Sequence, residues 1–323
     1  MRPYWVRKGR VIPGIHHVTA IAADPQRNLD FYGGVLGLHL VKLTVNFDDP
    51  DTYHLYYGDA LGRPGSLLTF FHWPGAPRSR AGTRQVRAVS LSIPEGASEF
   101  WVHRLQTHGI LFEVHARFGD EVISFSDPDR LRVELVAASD DRQPFADGPV
   151  PAESSIRGVY GVTLAEEESG RTAALLGGTM GLRIAGESGG RTRFIAGPGG
   201  PGAVVDVENL PGLRPGRIGA GAVHHVAFRA PDERAQDTLR DEILRAGRRV
   251  TPTIDRRYFR SIYFREPGGV RFEIATEAPG FTVDESAAAL GTHLMLPPWL
   301  EARRPQLEQA LPPLRLPALA KRA

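Results

Sequence analysis

A four-residue frame, an apolar residue, two variable residues and a valine, recurs at four places in the chain. It reads "IHHV" at 15–18, "VRAV" at 86–89, "IRGV" at 156–159 and "VHHV" at 223–226. Each frame opens a run that alternates as a strand does: "IHHVTAIA", "VRAVSLSI", "IRGVYGVT" and "VHHVAFRA". After each comes an amphipathic helical stretch and then two or three further strand-like runs. Repetition at this scale constrains the fold more than local propensity does, because each copy has to build the same unit. The units span about 15–72, 86–137, 156–208 and 223–276.

Cross-matches group the units in alternate pairs. "FYGGVLGL" at 31–38 matches "LLGGTMGL" at 175–182, and "PGSLLT" at 64–69 matches "PGAVVD" at 201–206. Both of the first pair read as a helix end, a glycine turn and a strand start, glycine supplying the left-handed backbone angle. "DPDRLRVELV" at 127–136 matches "EPGGVRFEIA" at 266–275. Those two follow helical stretches ending in glycine, "HRLQTHGI" at 103–110 and "DEILRAGR" at 241–248. Unit one thus resembles unit three, and unit two resembles unit four, as duplication of a two-unit ancestor would leave them. The predicted organisation is α+β: four βαβββ units in two tandem halves, 11–145 and 155–280, with a C-terminal extension over 281–323. "FADGPVPAESS" at 145–155 reads as the linker, and "GPGGPG" at 197–202 as a hairpin turn, since no strand-to-helix context makes it a phosphate loop.

Composition narrows the function classes. The 323 residues are 41% hydrophobic and 24% charged, with a formal net charge of +2. Basic residues are spread among acids; Arg256–Arg257 and Lys321–Arg322 are the densest basic spots, so a nucleic-acid footprint is not expected. There is no cysteine, which excludes disulfides, thiolate metal sites and a cysteine nucleophile. No apolar run reaches the roughly 18 residues of a membrane span, and the first residues lack a signal-peptide core. The expectation is a cytoplasmic protein without membrane contact.

Aligning the units exposes candidate metal ligands. The third position of the opening frame is His17, Ala88, Gly158 and His225. The matching position of the closing strands is Thr69, Glu134, Asp206 and Glu273. Only units one and four offer histidine there. Strand alternation places His225 and Glu273 on one face of unit four, with His17 and Thr19 on the equivalent face of unit one. By the same alternation His16 and His224 face the opposite, helix-packed side. Glu134, lacking a histidine partner, is expected to be solvated or paired with an arginine. Two imidazoles and a carboxylate form the facial set used by non-haem Fe(II) sites that leave positions open.

The four-unit pattern resembles the vicinal oxygen chelate superfamily, which includes glyoxalase I, extradiol dioxygenases and the bleomycin- and fosfomycin-resistance proteins. In that superfamily paired units form cupped mixed sheets flanked by helices. The stretches 15–73 and 250–285, and the tail "LPPWLEARRPQLEQALPPL", are similar to the branch of hydroquinone-type ring-cleaving dioxygenases. Catechol-cleaving relatives draw a histidine from unit three, which Gly158 cannot supply. The resemblance implies Fe(II), with Mn(II) accepted by the same donors, held by His17, His225 and Glu273. It also implies O2 and a small aromatic para-diol as partners, and catalytic roles for Thr19, His224, Arg256 and Tyr263. A homodimer is the default expectation. Two other readings share the scaffold. One is a glyoxalase-like isomerase or lyase, weakened because Thr69 stands where such sites carry a second carboxylate. The other is a ligand-sequestering resistance protein, which needs no triad.

Overall fold

The computed structural model describes residues 12–316; the start of the first half at 11 and the Lys321–Arg322 pair lie outside them. Unit one comprises β1 (Ile15–Ala22), α1 (Pro25–Leu29), β2 (His39–Asn46), β3 (Asp49–Gly58) and β4 (Leu67–His72). Unit two comprises β5 (Gln85–Ile93), α2 (Ser98–Thr107), β6 (Phe112–Arg117), β7 (Asp120–Ser126) and β8 (Arg132–Ala137). Unit three runs β9 (Gly158–Glu166), α3 (Gly170–Ala174), β10 (Arg183–Ser188), β11 (Arg191–Ile195) and β12 (Val204–Asn209). Unit four runs β13 (Val223–Ala230), α4 (Glu233–Arg245), β14 (Ile254–Asp255), β15 (Arg260–Arg265) and β16 (Arg271–Thr276). The four βαβββ units expected from the repeat are all present.

The duplicated "GG" segments have a local explanation. Asp24 caps α1 by accepting from Arg27 N at 2.8 Å, and Pro25 occupies its first turn. The chain then widens into π-helical turns over Asp30–Val35 and, in unit three, over Leu175–Thr179. Gly37 (φ +71°) and Gly181 (φ +75°) end those turns in the left-handed conformation and redirect the chain into β2 and β10.

The strands form two eight-stranded mixed sheets. The first has the order β14-β15-β16-β13-β1-β4-β3-β2, the second β10-β11-β12-β9-β5-β8-β7-β6. Each sheet therefore takes one unit from each tandem half: one with four, two with three. The two opening strands of a sheet meet antiparallel at its centre, and each is flanked by its own unit's closing strand in parallel. One continuous core joins alternate strand residues such as Val18, Phe70, Val226 and Phe272 to helix residues such as Leu29, Trp101 and Ile243. The other face of the first sheet curls around a separate cluster that includes Tyr56, Leu67, Tyr258, Phe259 and Phe281.

The connecting segments are packed. Phe145 stacks on His39 with ring centres 4.2 Å apart, and Trp101 Nε1 donates to Ser154 O at 2.8 Å. The extension carries 3-10 turns and the short α5 (Arg304–Ala310), with proline in its first turn. It is tied to β2 by Lys42, whose buried Nζ donates to Asp284 Oδ1 at 2.7 Å, Phe281 O at 3.2 Å and the Glu285 carboxylate. No described helix is long and apolar enough to cross a membrane.

One buried acid couples units three and four. Glu166, at the end of β9, lies beside the turn after β15, where Glu266 accepts from Thr172 Oγ1, Gly268 N and Val270 N. Burial, reinforced by the Glu266 carboxylate, pushes Glu166 up to about 8. A carboxyl whose folded pKa is raised holds its proton more tightly in the native state. Its contribution therefore disfavours the fold progressively as pH rises from about 4.5 to about 8. Glu166→Gln should stabilise the protein at pH 8 by on the order of 1–3 kcal/mol, with the advantage vanishing near pH 4.5. Thermal unfolding across that pH range checks it; an advantage independent of pH contradicts the assignment.

Candidate metal centre

The centre lies where β1 and β13 meet. The alternation rule places His16 and His224 behind the sheet, and that expectation fails because the seam carries two β-bulges. The register steps from Ile15↔Phe228 to His17↔Ala227, and from Thr19↔His225 to Ala20↔Val223. His16 and His224 are the extra residues, and a bulged residue is released from strict alternation. Both rings consequently reach the cupped side. His16 meets Phe259 at 5.0 Å between ring centres, and His224 sits edge-on to Phe71 at 5.2 Å and Trp73 at 5.8 Å.

Each bulged histidine orients its neighbour. His16 Nδ1 is 3.0 Å from His17 Nδ1, and His224 Nδ1 is 2.8 Å from His225 Nδ1. The ligand candidates therefore turn their Nε2 atoms to each other, 3.1 Å apart. Glu273 Oε2, from the neighbouring β16, lies 2.9 Å from His225 Nε2 and 3.4 Å from His17 Nε2. Two donors at right angles around an ion about 2.1 Å away stand about 3 Å apart, so the three atoms have the spacing of one face of a six-coordinate site. All three residues are at most 3% exposed. Glu273 Oε2 makes no hydrogen bond, whereas its Oε1 accepts from Ser261 Oγ of β15. A buried carboxylate oxygen without a hydrogen bond, facing two imidazole nitrogens, fits a divalent cation. Among the described residues this is the one trio of such groups within ligating distance of one another.

The protonation states suit that use. Burial alone would raise Glu273, but the imidazoles of His17 and His225 overcome it and hold the carboxyl well below its usual range. Burial pulls His225 down, partly opposed by Glu273. Burial and the adjacent ligand candidate lower His16 to about 3 and His224 to about 2. An imidazole that ligates through Nε2 carries its proton on Nδ1, so His17 and His225 then donate to the Nδ1 atoms of His16 and His224.

A cavity of about 570 Å³ opens onto His17 and His225 of the trio. Phe71, Trp73 and Phe264 supply apolar wall, and His17, His224, His225, Arg256 and Tyr263 supply polar groups. Arg256 Nε donates to Tyr263 Oη at 3.2 Å, and its two terminal nitrogens donate to Asp48 at 2.9 Å each. Burial keeps the Tyr263 phenol protonated by raising it above its ordinary value. Thr19 lies beside the site and shares a 2.7 Å hydrogen bond with Thr69. Of the seven residues singled out by sequence, His17, His224, His225, Arg256 and Tyr263 line the cavity, Glu273 completes the trio, and Thr19 pairs with His225 across the seam. His54 went unnoticed: its Nε2 is 2.9 Å from Thr69 Oγ1, and its ring packs against Tyr56 and Phe71 in the cavity wall. Its spacing of two from Tyr56 on β3 was the available signal, but no repeat partner drew attention to it.

The second sheet repeats the same geometry without the histidines. Its seam steps at Val86/Ala88 and at Ser90/Leu91, so Ala88 pairs with Thr163 as His17 pairs with Ala227. This register corrects the frame of unit three: Val159 pairs with Leu91 as Val223 pairs with Ala20, so the frame is "VYGV" at 159–162. The counterpart of His225 is Gly161, not Gly158, and that of His224 is Tyr160. The run "IRGVYGV" contains two overlapping frames, and only strand pairing separates them. Unit three still offers no ligand, since a Cβ on Gly161 would come within 2.5 Å of Val204 O. Glu134 is paired with arginine, accepting from Arg117 at 3.0 and 2.7 Å, and Asp206 accepts from Arg193 at 2.8 and 3.1 Å. Guanidinium groups fill the place of a cation there.

Comparison with known proteins places the chain in a family. The family model "Glyoxalase/Bleomycin resistance protein/Dioxygenase superfamily" matches residues 14–135 and 159–274. The chain is 45% identical over 301 residues to the "Putative ring-cleaving dioxygenase MhqO" of Bacillus subtilis, covering 93% of this chain and 96% of that protein. It is 34% identical over 307 residues to the chlorohydroquinone/hydroquinone 1,2-dioxygenase of Sphingobium indicum, covering 92% and 95%. The crystal structure of a "putative dioxygenase" from Bacillus subtilis superposes with a TM-score of 0.91 at 44% identity, covering 96% of this chain and 99% of that one. The chain belongs to the Glyoxalase/Bleomycin resistance protein/Dioxygenase superfamily.

Proposed function

We propose that this protein is an Fe(II)-dependent dioxygenase that opens a hydroquinone-type ring with O2. The observation carrying the reading is the trio His17, His225 and Glu273 at the floor of a ring-sized cavity, in a chain whose relatives are named as ring-cleaving dioxygenases. Fe(II) held by His17, His225 and Glu273 would supply the redox chemistry that activates O2 toward the ring.

The chain's own residues bind, orient and move protons. Phe71 and Trp73 offer aromatic surface for the ring and keep water from it. Tyr263, protonated and oriented by Arg256, donates a hydrogen bond to an oxygen of the substrate. Asp48 in turn holds Arg256, so the phenol, the guanidinium and the carboxylate form one braced unit. His224 stands at the cavity wall beside His225 and is the proton carrier of this reading. Thr19 bonds Thr69 at the position where a second carboxylate would sit, which leaves that side of the site free of a fourth protein ligand. Ser261 fixes the Glu273 carboxylate from behind.

Two measurements test this account. Protein loaded with iron under nitrogen should consume one O2 per hydroquinone cleaved, and Glu273→Ala should lower the rate at least about a thousandfold. Iron-replete protein that consumes no oxygen across a hydroquinone panel refutes the reading. Ser261→Ala removes the brace behind the carboxylate and should weaken Fe(II) affinity by about tenfold, as loss of a supporting hydrogen bond does elsewhere. A competing-chelator titration measures it, and unchanged affinity contradicts the bracing role.

A further inference from the structure

The cavity wall carries more positive charge than the trio and the braced Arg256 account for. Four arginines line it, at 249, 256, 265 and 271, against one lining aspartate, Asp48. Arg256 occupies both oxygens of that aspartate. Arg265 and Arg271 are direct cross-strand partners on β15 and β16, so their side chains leave the same face of the sheet. Like charges set opposite each other in this way repel. Among the described residues neither makes an ion pair with a carboxylate: Arg265 Nη1 donates to Gly269 O at 2.8 Å, and Arg271 Nη1 lies 2.9 Å from His224 Nε2. Arg271 is partly buried.

The His224 contact is a poor resting place for Arg271. When His225 ligates through Nε2, its Nδ1–H donates to His224 Nδ1, and neutral His224 then carries its proton on Nε2. Two N–H donors face each other across the 2.9 Å gap. An acceptor brought into the cavity satisfies the guanidinium better than the imidazole does.

We propose that Arg271 and Arg265 receive a carboxylate borne by the aromatic substrate, so that the ring is anionic as well as a para-diol. The inference rests on the ring-cleavage reading only for the identity of the ring. Its geometry comes from the strands: Arg271 and Arg265 lie two residues from Glu273 and Tyr263 along paired strands. That offset is about 7 Å. A ring with one hydroxyl at the trio and a carboxyl group on or one carbon from the ring spans it. A guanidinium meets a carboxylate through two parallel hydrogen bonds, which gives orientation as well as attraction.

The test is calorimetric titration of the iron-loaded protein under nitrogen with 2,5-dihydroxybenzoate, with its uncharged methyl ester and with cis,cis-muconate. The carboxylate should bind about tenfold or more tightly than the ester at low salt, the worth of a charged hydrogen-bonded pair. Arg271→Gln should erase that preference, Arg265→Gln should reduce it, and Arg271→Lys should retain most of it. Thermal unfolding confirms that each variant is folded. Equal affinities for carboxylate and ester in the unmodified protein overturn the proposal, as does failure of the carboxylate to bind. Tighter binding of muconate assigns the arginines to a ring-opened acid and overturns it equally. Oxygen uptake with a hydroquinone panel that includes 2,5-dihydroxybenzoate, run in parallel, tests ring cleavage separately: a charge preference without uptake from any member refutes the dioxygenase reading and leaves the charge preference of the cavity standing.

Discussion

The antiparallel pairing of β1 with β13 is the contact on which the site depends. Those strands come from opposite ends of the chain, and no ligand set forms until they meet. Their pairing carries a bulge on each side, which frees His16 and His224 from alternation. Each then reaches the Nδ1 of the next histidine and turns that ring's Nε2 toward the centre. Glu273 follows because β16 lies beside β13 in parallel register, with Glu273 opposite Ala227. In the proposed reading, two adjacent histidines at each seam position serve as a ligand and the group that orients it.

The second sheet is an internal control on what the fold itself requires. It has the same strand order, the same paired bulges and carboxylates at the matching positions. With Ala88 and Gly161 where the first sheet has histidines, the freed volume is taken up by Arg117, Arg191 and Arg193. Buried carboxylates need a partner of opposite charge, and guanidinium groups there do what an ion would do in the other cup. The scaffold tolerates either solution, so activity resides in the identity of a few side chains. Both sheets join a unit of one half to a unit of the other, and the two cups differ in the side chains that meet at their seams.

Much of this was legible in the sequence because repetition supplies an alignment within one chain. The four units, the glycine turns at Gly37 and Gly181, the pairing of unit one with unit four and the trio itself all follow from matching frames. The positions of His16 and His224 did not, since a bulge adds one residue to a strand without changing its composition. The frame of unit three was misplaced by three residues because "IRGVYGV" satisfies the pattern twice. His54 and Ser261 lay outside any repeated motif, and only the strand pairing brings them to Thr69 and Glu273. The cross-strand Arg265–Arg271 pair was likewise invisible until β15 and β16 were set in register.

In the proposed reading the two cups differ in one respect: the first holds a metal and the second holds arginine. The direct measurement is the stoichiometry and location of Fe(II) in protein purified and loaded without air, by elemental analysis of the wild type beside Glu273→Ala and Asp206→Ala. The expected result is one iron per chain, lost in Glu273→Ala and kept in folded Asp206→Ala. Two irons per chain, or one that survives Glu273→Ala, contradicts it.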